Sequence, residues 1–427
     1  MVPPSATGPD AAPRSRSLPP ALAAVEVPEI LSLRDALALA LAHHPGLGAL
    51  ALEVEARAGA EVQAGVYPNP TLTVDVENFG RSRRRLGQLN GPEYTLAVGQ
   101  LVELGGKRTA RVRAARLERQ LALWDYESAR ASLLAVTARD FVSVLTGQQQ
   151  VELAEEGLRL GLSVRDAVRA KVAAGKVSPV EATRAEVLVS RARLEVDRAG
   201  GELAASRARL AAQWGQSVAG FKRAIGVLAE APSPPPLEVL FEEVAGHPDV
   251  ARWADEVEHR EASMELARAG RIPDPTVSAG GRFLDETDES AFVVGISLPL
   301  SVNDRRTGAI EEAARRLDQA RARRQAAWVS RRSDVVVAHT EVANALRQLK
   351  VLETEILPAT AEAHHMTREA YLQGRAGLTD VLETERTWFA TRLERLDALR
   401  RYHAHRAELE TLVGHDLNEM TNRKTES

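Results

Sequence analysis

One block of this sequence occurs twice, and no fold that ignores the repetition can be right. Tyr94 to Leu101 alternates like a strand and is followed by Val102-Glu103-Leu104-Gly105-Gly106-Lys107-Arg108 and a very long helical run. Phe292 to Leu300, Asn303-Asp304-Arg305-Arg306 and a second long run follow the same plan. Tyr67-Pro68-Asn69-Pro70-Thr71 precedes the first block and Ile272-Pro273-Asp274-Pro275-Thr276 the second. Gly175-Lys176-Val177-Ser178-Pro179-Val180-Glu181 and Gly374-Arg375-Ala376-Gly377-Leu378-Thr379-Asp380 come after them. Three phrases in one order at nearly constant separation make a tandem duplication of about 200 residues. The halves are expected at 29–215 and 237–413, with a Pro-rich connector over 216–236 and a polar tail over 414–427. Residues 1–28 read as a disordered tail or an incomplete or mis-started signal region, because no apolar run of signal length is visible there.

Each half begins with two helices split before a proline, at His44-Pro45 and at His247-Pro248. The residue before proline avoids the helical region, which sets both breaks. Ser32, with Asp35 three residues on, is a plausible cap for the first helix. Two period-two stretches follow in each half, over about 71–78 and 94–101 and over about 276–283 and 291–300. Leu72, Val74, Val76, Leu96 and Val98 alternate with Thr71, Thr73, Asp75, Thr95 and Ala97; Val277, Ala279, Val294, Ile296 and Leu298 alternate with small or polar residues. Such a pattern suits a barrel strand with lipid on one side and water on the other, and the lengths match the about 9 to 11 residues that a tilted strand needs. A half-buried hairpin on a soluble protein has the same pattern.

The long helices are expected at about 107–174 and 306–373, each on the order of 100 Å at about 1.5 Å per residue. Leu117, Leu121, Trp124, Ser128, Ala131, Ala135, Ala138, Val142 and Leu145 form a coiled-coil seam whose register fails at Gly147 to Gln150. Pro358 in the second run and Gly157 with Gly161 in the first should soften both helices at equivalent depth. Each run reverses at a glycine and returns as a shorter helix, over about 178–214 and 378–412. Trp388, Phe389, Leu393 and Leu396 mark the apolar face of the second return.

Composition narrows the function. Aromatics are only 4%, too few for thick globular cores but enough for helices meeting along narrow seams. A net charge of -4 and no interleaved basic and aromatic residues argue against nucleic acid. With no cysteine in this sequence, no disulfide, thiolate metal site or acylated cysteine is expected. His43-His44, His364-His365 and His403 with His405 lack metal-ligand geometry, since neighbouring positions point to different helix faces. Gly105-Gly106-Lys107-Arg108 lacks the first glycine and the final hydroxyl of a phosphate loop. No catalytic constellation or cofactor motif is present, and an enzyme is not expected.

Tyr67-Pro68-Asn69-Pro70, Gln100 to Arg108 and Tyr371-x-x-Gly374-x-x-x-Leu378-Thr379-Asp380-Val381-Leu382, together with the duplication, resemble the TolC-like outer-membrane efflux channels. The resemblance spans about Leu31 to Val413 and looks closest to the heavy-metal exporters of the CzcC type. It implies a mainly α duplicated fold with a small transmembrane β part: a long α-helical barrel plus four strands per protomer of a twelve-stranded trimeric β-barrel. It also implies a homotrimer in the cell outer membrane, its helical barrel in the periplasm. A periplasmic adaptor and an inner-membrane pump of the resistance-nodulation-division class would be its partners, and it would be a passive exit duct, here for heavy-metal cations. Ducts for drugs or secreted polypeptide remain alternatives, as does a soluble coiled-coil scaffold.

By the same resemblance the turns at Gly175 and Gly374 are periplasmic tips, where Lys171, Lys176, Glu181, Arg184, Tyr371, Arg375, Asp380 and Glu383 are candidate gate or adaptor contacts. Capped turns with solvated charges are the plainer account of the same residues. Arg81, Arg83, Arg84 and Arg85 on one hairpin loop and Asp285, Glu286, Asp288 and Glu289 on the other are candidate extracellular residues. Side by side in a ring, the loops could pair across its outer mouth; otherwise they are simply solvated.

Overall fold

Ser32 starts the first helix as expected: its hydroxyl accepts from Asp35 N–H while the Asp35 carboxylate accepts from Ser32 N–H, a reciprocal capping box. The computed structural model describes residues 26–78, 91–228, 231–414 and 417. Arg81, Arg83, Arg84 and Arg85, and most of both terminal tails, lie outside the described residues. In chain order the elements are β1 (Ile30–Ser32), α1 (Leu33–His43), α2 (Pro45–Ala64), β2 (Thr71–Glu77), β3 (Glu93–Leu101), α3 (Lys107–Ala173), α4 (Pro179–Ala212) and β4 (Arg223–Ile225). The later half continues with α5 (Leu237–Val244), α6 (Pro248–Ala269), β5 (Thr276–Leu284), β6 (Glu289–Ser297), α7 (Thr307–Val351), a π-helical turn (Leu352–Ile356), α8 (Leu357–Leu372) and α9 (Leu378–Val413).

The elements gather into two units, each built from three stretches of chain. One comprises Met1–Pro45, Val136–Glu230 and Leu352–Arg400. Its core includes Leu31, Phe141, Val144, Leu210, Trp214, Phe221 and Ala224. The 216–236 segment, expected to be a connector alone, supplies part of that core and the strand β4, which pairs in parallel with β1. Gln148 holds the strand in place, its side chain accepting from Ala224 N–H at 2.8 Å and donating to Ala224 C=O at 2.9 Å. Three-residue parallel strands have no periodicity to read, which is why the segment looked like a linker.

The second unit comprises Gly46–Ala135, Ala231–Val351 and Arg401–Ser427. Its core includes Leu240, Val244, Val335, Ala338, Val342, Tyr402, Leu409 and Val413, and the Tyr402 hydroxyl donates to Pro232 C=O at 2.7 Å. Here α3 runs between two neighbours. Arg57 and Glu61 of α2 pair with Glu118 and Arg119, while Glu258 and Glu265 of α6 pair with Arg113. Trp124 Nε1–H donates to Asp255 at 2.6 Å.

Three expectations about the helices are corrected. The single seam on α3 holds at Leu117, Leu121 and Leu145, but Ala131, Ala135, Ala138 and Val142 are only half-buried while Leu133, Thr137 and Phe141 are buried. A helix packed on both flanks has two stripes, and a coiled-coil register describes only one. Secondly, α3 is unbroken from Lys107 to Ala173, so Gly157 and Gly161 do not soften it. They admit neighbours: a Cβ at Gly157 would touch the Phe389 ring at 3.7 Å, and one at Gly161 would touch Leu188 at 3.7 Å. The second run does soften where Pro358 was expected to disturb it: it is interrupted at Leu352–Ile356, just before that proline. Proline cannot donate to the preceding turn, and a π-helical turn absorbs the mismatch. Thirdly, Leu393 of α9 is exposed, whereas Glu385 and Thr391 are buried.

Candidate functional site: the sheet faces and the hairpin turns

The strands of the two halves form one antiparallel sheet in the order β2-β3-β5-β6. Register decides what it can do. Leu72 lies opposite Val98, Val74 opposite Leu96 and Val76 opposite Tyr94. Tyr94 lies opposite Phe283, and across β5 to β6 Gly281 faces Phe292, Ala279 faces Val294 and Val277 faces Ile296. Directly opposed residues share a face, so these apolar side chains form one continuous surface. They are exposed within the chain, Phe292 by 79%, Val294 by 63% and Ile296 by 74%. A one-residue slip of any strand would turn its apolar set to the other face.

The opposite face is mainly polar, with Leu101, Leu284 and Val293 among its residues. It holds Thr71, Thr73, Asp75 and Glu77 of β2, Glu93 and Thr95 of β3, Thr276, Ser278 and Arg282 of β5, and Glu289 and Ser297 of β6. Arg282 ties three strands together, donating to Thr95 Oγ1 at 3.0 Å and Glu93 at 3.1 Å and pairing with Glu77 at 3.3 Å. The closest approach is at Gly280, where a Cβ would sit 2.2 Å from the Leu96 carbonyl oxygen, so only glycine fits.

The repeated phrases meet where strands give way to helices. Gly105 and Gly106 both adopt left-handed backbone, φ 70° and 72°, and turn β3 into α3; a Cβ at Gly105 would collide with Ile272. Leu104 N–H donates to Asp274 at 2.8 Å, Lys107 pairs with Asp274 at 2.7 Å, and Val102 N–H donates to Pro275 C=O at 2.9 Å. Burial pushes the Asp274 carboxyl up, but the Leu104 N–H and Lys107 outweigh it and hold the group below its usual value. The first-half phrase is thus bonded to the second-half phrase, and Arg111 binds both Glu103, at 2.6 Å, and Ala64 C=O, at 2.8 Å.

At the β5–β6 turn, Asp285 N–H donates to Pro92 C=O at 3.2 Å, Glu286 lies against Gly91, and Asp288 adopts φ 54°. Glu289, expected in this loop, is instead the first residue of β6 and pairs in register with Leu284. A two-stranded ladder extends as far as its backbone bonds continue, regardless of charge, so an acidic run can enter a strand.

The two helical hairpins reverse by one shared motif. Lys176 N–H donates to Lys171 C=O at 2.9 Å and Gly175 N–H to Val172 C=O at 2.9 Å; Arg375 N–H donates to Ala370 C=O at 2.8 Å and Gly374 N–H to Tyr371 C=O at 3.1 Å. These are Schellman turns with glycine at φ 71° and 74°. Three residues on, Ser178 caps α4, and Gly377 N–H donates to the Asp380 carboxylate at 2.9 Å at the start of α9. Asp380 is therefore a cap of its own helix. Glu181 pairs with Arg184 at 3.0 Å, Arg375 bonds Gln373, and Lys176 and Glu383 are exposed. The Lys171 ammonium stands 3.6 Å from the Tyr371 ring centroid, joining the two long runs near their ends. Val168, Ala185 and Leu378 pack together beneath the turns.

The outer membrane efflux protein family matches this chain twice, over residues 36–216 and 240–415. The chain belongs to that family. As an outer membrane efflux protein it is a channel of the outer membrane, with its helical part in the periplasm. The "Cobalt-zinc-cadmium resistance protein CzcC" of Cupriavidus metallidurans is 32% identical over 385 residues, 90% of each chain. The "Nickel-cobalt-cadmium resistance protein NccC" of Alcaligenes xylosoxydans xylosoxydans is 27% identical over 301 residues, 70% of this chain and 67% of that one. The fold is that of the outer membrane protein VceC of Vibrio cholerae, with a TM-score of 0.73 and 19% identity over 90% of this chain and 96% of that one. The TolC-like resemblance in the sequence thus has its fold and family.

Two features of this efflux protein escaped the sequence. Arg282 was not singled out, although a polar residue at its parity fits the water side. Glu385 sits where the helical repeat allows an inward side chain, yet its charge argued for solvent.

Proposed function

We propose that three copies close a twelve-stranded barrel, four strands each, around a water-filled passage, and that the assembly is the passive exit duct of a tripartite export system for heavy-metal cations. The supporting observation is the four-stranded sheet with one mainly apolar face, one mainly polar face, and its β2 and β6 edges open. An open strand edge in lipid leaves backbone groups unsatisfied, and four strands are too few to close around water, so the edges must be covered by neighbouring copies. The metal reading rests on the cations named for CzcC and NccC. An adaptor protein and an inner-membrane RND pump select the cargo in this reading, and the duct performs no catalytic step.

The turns at Gly175 and Gly374 are the periplasmic tips, with Lys176, Glu181, Arg184, Tyr371, Arg375, Asp380 and Glu383 as gate or adaptor contacts. Exposed ion pairs there contribute only about 0.2–1 kcal/mol each, which suits a gate that a partner must open. Asp285, Glu286 and Asp288, with Arg81, Arg83, Arg84 and Arg85, belong to the external loops.

Deleting the gene in its host, with pump and adaptor left in place, should raise sensitivity to zinc, cobalt or cadmium, and the intact gene should restore growth. Restored resistance to organic toxicants but not to any of the three cations would reject the metal reading. In planar bilayers, replacing Asp380 by Asn, which can still accept from Gly377 N–H, together with Glu383→Gln, should raise the open fraction. Unchanged conductance would remove both residues from the gate.

A further inference from the structure

Strand β6 ends at Ser297, but the apolar alternation of the sequence runs on into a turn in which Val302 N–H donates to Leu300 C=O at 2.8 Å. Leu298, Leu300 and Val302 continue the parity of Phe292, Val294 and Ile296, and all three are exposed. Immediately beyond them stand Arg305 and Arg306, also exposed. Arg306 holds a left-handed backbone, φ 53°, a conformation that costs any side chain free energy. Its guanidinium lies against Gly270, where a Cβ would be 3.0 Å from Nη1 and 3.1 Å from Cδ. Glycine at 270 therefore lets Arg306 rest on the end of α6, beside the exposed Arg268 and Arg271.

Arg57, Arg113, Arg315 and Arg321 each reach two carboxylates. Among the described residues Arg268, Arg271, Arg305 and Arg306 have no ion pair. Neighbouring acids are engaged otherwise: Asp274 with Lys107, Glu103 with Arg111, and Asp304 with the Arg306 backbone N–H at 2.8 Å. On the other edge of the same end of the sheet Tyr67 is exposed, with the Arg108 guanidinium 4.1 Å from its ring centroid. An amphipathic aromatic beside cations is the composition of a membrane–water boundary.

We propose that this collar binds the headgroup phosphate of an anionic phospholipid in the leaflet at the helix end of the sheet. Arg268, Arg271, Arg305 and Arg306 supply the charge, and Leu298, Leu300 and Val302 touch the acyl chain. In chain order the segment presents an apolar band, three exposed apolar residues beyond the strand, and then unpaired guanidinium groups, the order in which a phospholipid presents its tail and phosphate. Guanidinium groups match phosphate oxygens two at a time, and desolvated arginine costs less than lysine. The inference rests on the reading that the apolar sheet face meets lipid.

The test is native mass spectrometry of the purified assembly, titrated with phosphatidylglycerol, with phosphatidylcholine and inorganic phosphate as comparators. Wild-type protein should retain phosphatidylglycerol in preference to phosphatidylcholine, and Arg271→Gln/Arg305→Gln/Arg306→Gln should weaken that retention about 100-fold, from about 1 kcal/mol per basic group. Should the triple variant not assemble, Arg305→Gln alone is expected to weaken it about fivefold. Retention unaffected by these changes overturns the collar, as does equal competition by inorganic phosphate, which would make the site one for the free anion. Loss of adaptor binding with lipid retention unchanged would overturn it in favour of a protein partner. Failure of the wild-type protein to enter phosphatidylglycerol vesicles at all would instead reject the lipid-facing sheet.

Discussion

Glu385 shows how far a single residue can depart from what its type suggests. It is 5% exposed on α9, and its Oε2 has no hydrogen-bond partner among the described residues. Burial pushes its carboxyl up to about 7 from an ordinary 4.5, against the smaller opposing pull of Arg368. Between those values the folded protein keeps a proton that the unfolded chain gives up. The neutral form is therefore fully accommodated below about pH 4.5, and stability is lost as the pH rises towards and past 7. The loss is on the order of 3 kcal/mol. Glu385→Gln should match the wild type in thermal unfolding at acid pH and exceed it above neutrality, with the gap opening across that window. A wild-type unfolding temperature that does not fall across the window would show that Glu385 is not buried in the native protein. Nearby, His364 stacks on Trp388 at 5.0 Å, and burial together with Arg368 and His365 holds its imidazole below the usual range.

Among the elements, the sheet and the place of the proline break were legible, but not the form of that break. Alternation at Leu72 to Val76 and at Phe292 to Ile296 identifies strands because extended backbone turns successive side chains to opposite faces, whereas a helix repeats every 3.6 residues. Pro358 marks a disturbance, but whether the chain answers with a kink, a stop or a π-helical turn depends on what packs against it. Face identity yields a direct prediction. Val294→Arg puts a charge on the apolar face and should cost about 2–4 kcal/mol of membrane stability. Ser278→Arg, on the opposite face, should be tolerated. Urea-dependent folding into vesicles measures both, and equal losses would mean that the two faces meet the same solvent.

For the whole molecule the question is what covers β2 and β6. The chain has no cysteine, so introduced thiols have no background. Thr73→Cys on β2 and Gly295→Cys on β6 lie three strand spacings apart within the sheet, about 14 Å at about 4.8 Å per strand. A thiol reagent with a short arm should therefore join neighbouring copies and give covalent trimers on denaturing gels. Internal cross-links alone, or dimers without trimers, would contradict a ring of three. The duplication, the strand parity, the helix starts at Ser32 and Ser178 and the glycine turns at Gly175 and Gly374 were all determined by the sequence alone, since each depends on interactions within a few residues. Only the tertiary structure decided that β3 of one half pairs with β5 of the other, that 216–236 enters a core, that Gly157 and Gly161 admit neighbours, and that Arg306 rests on Gly270. Those contacts join residues far apart in the chain, and local patterns do not encode which distant partner closes a given surface.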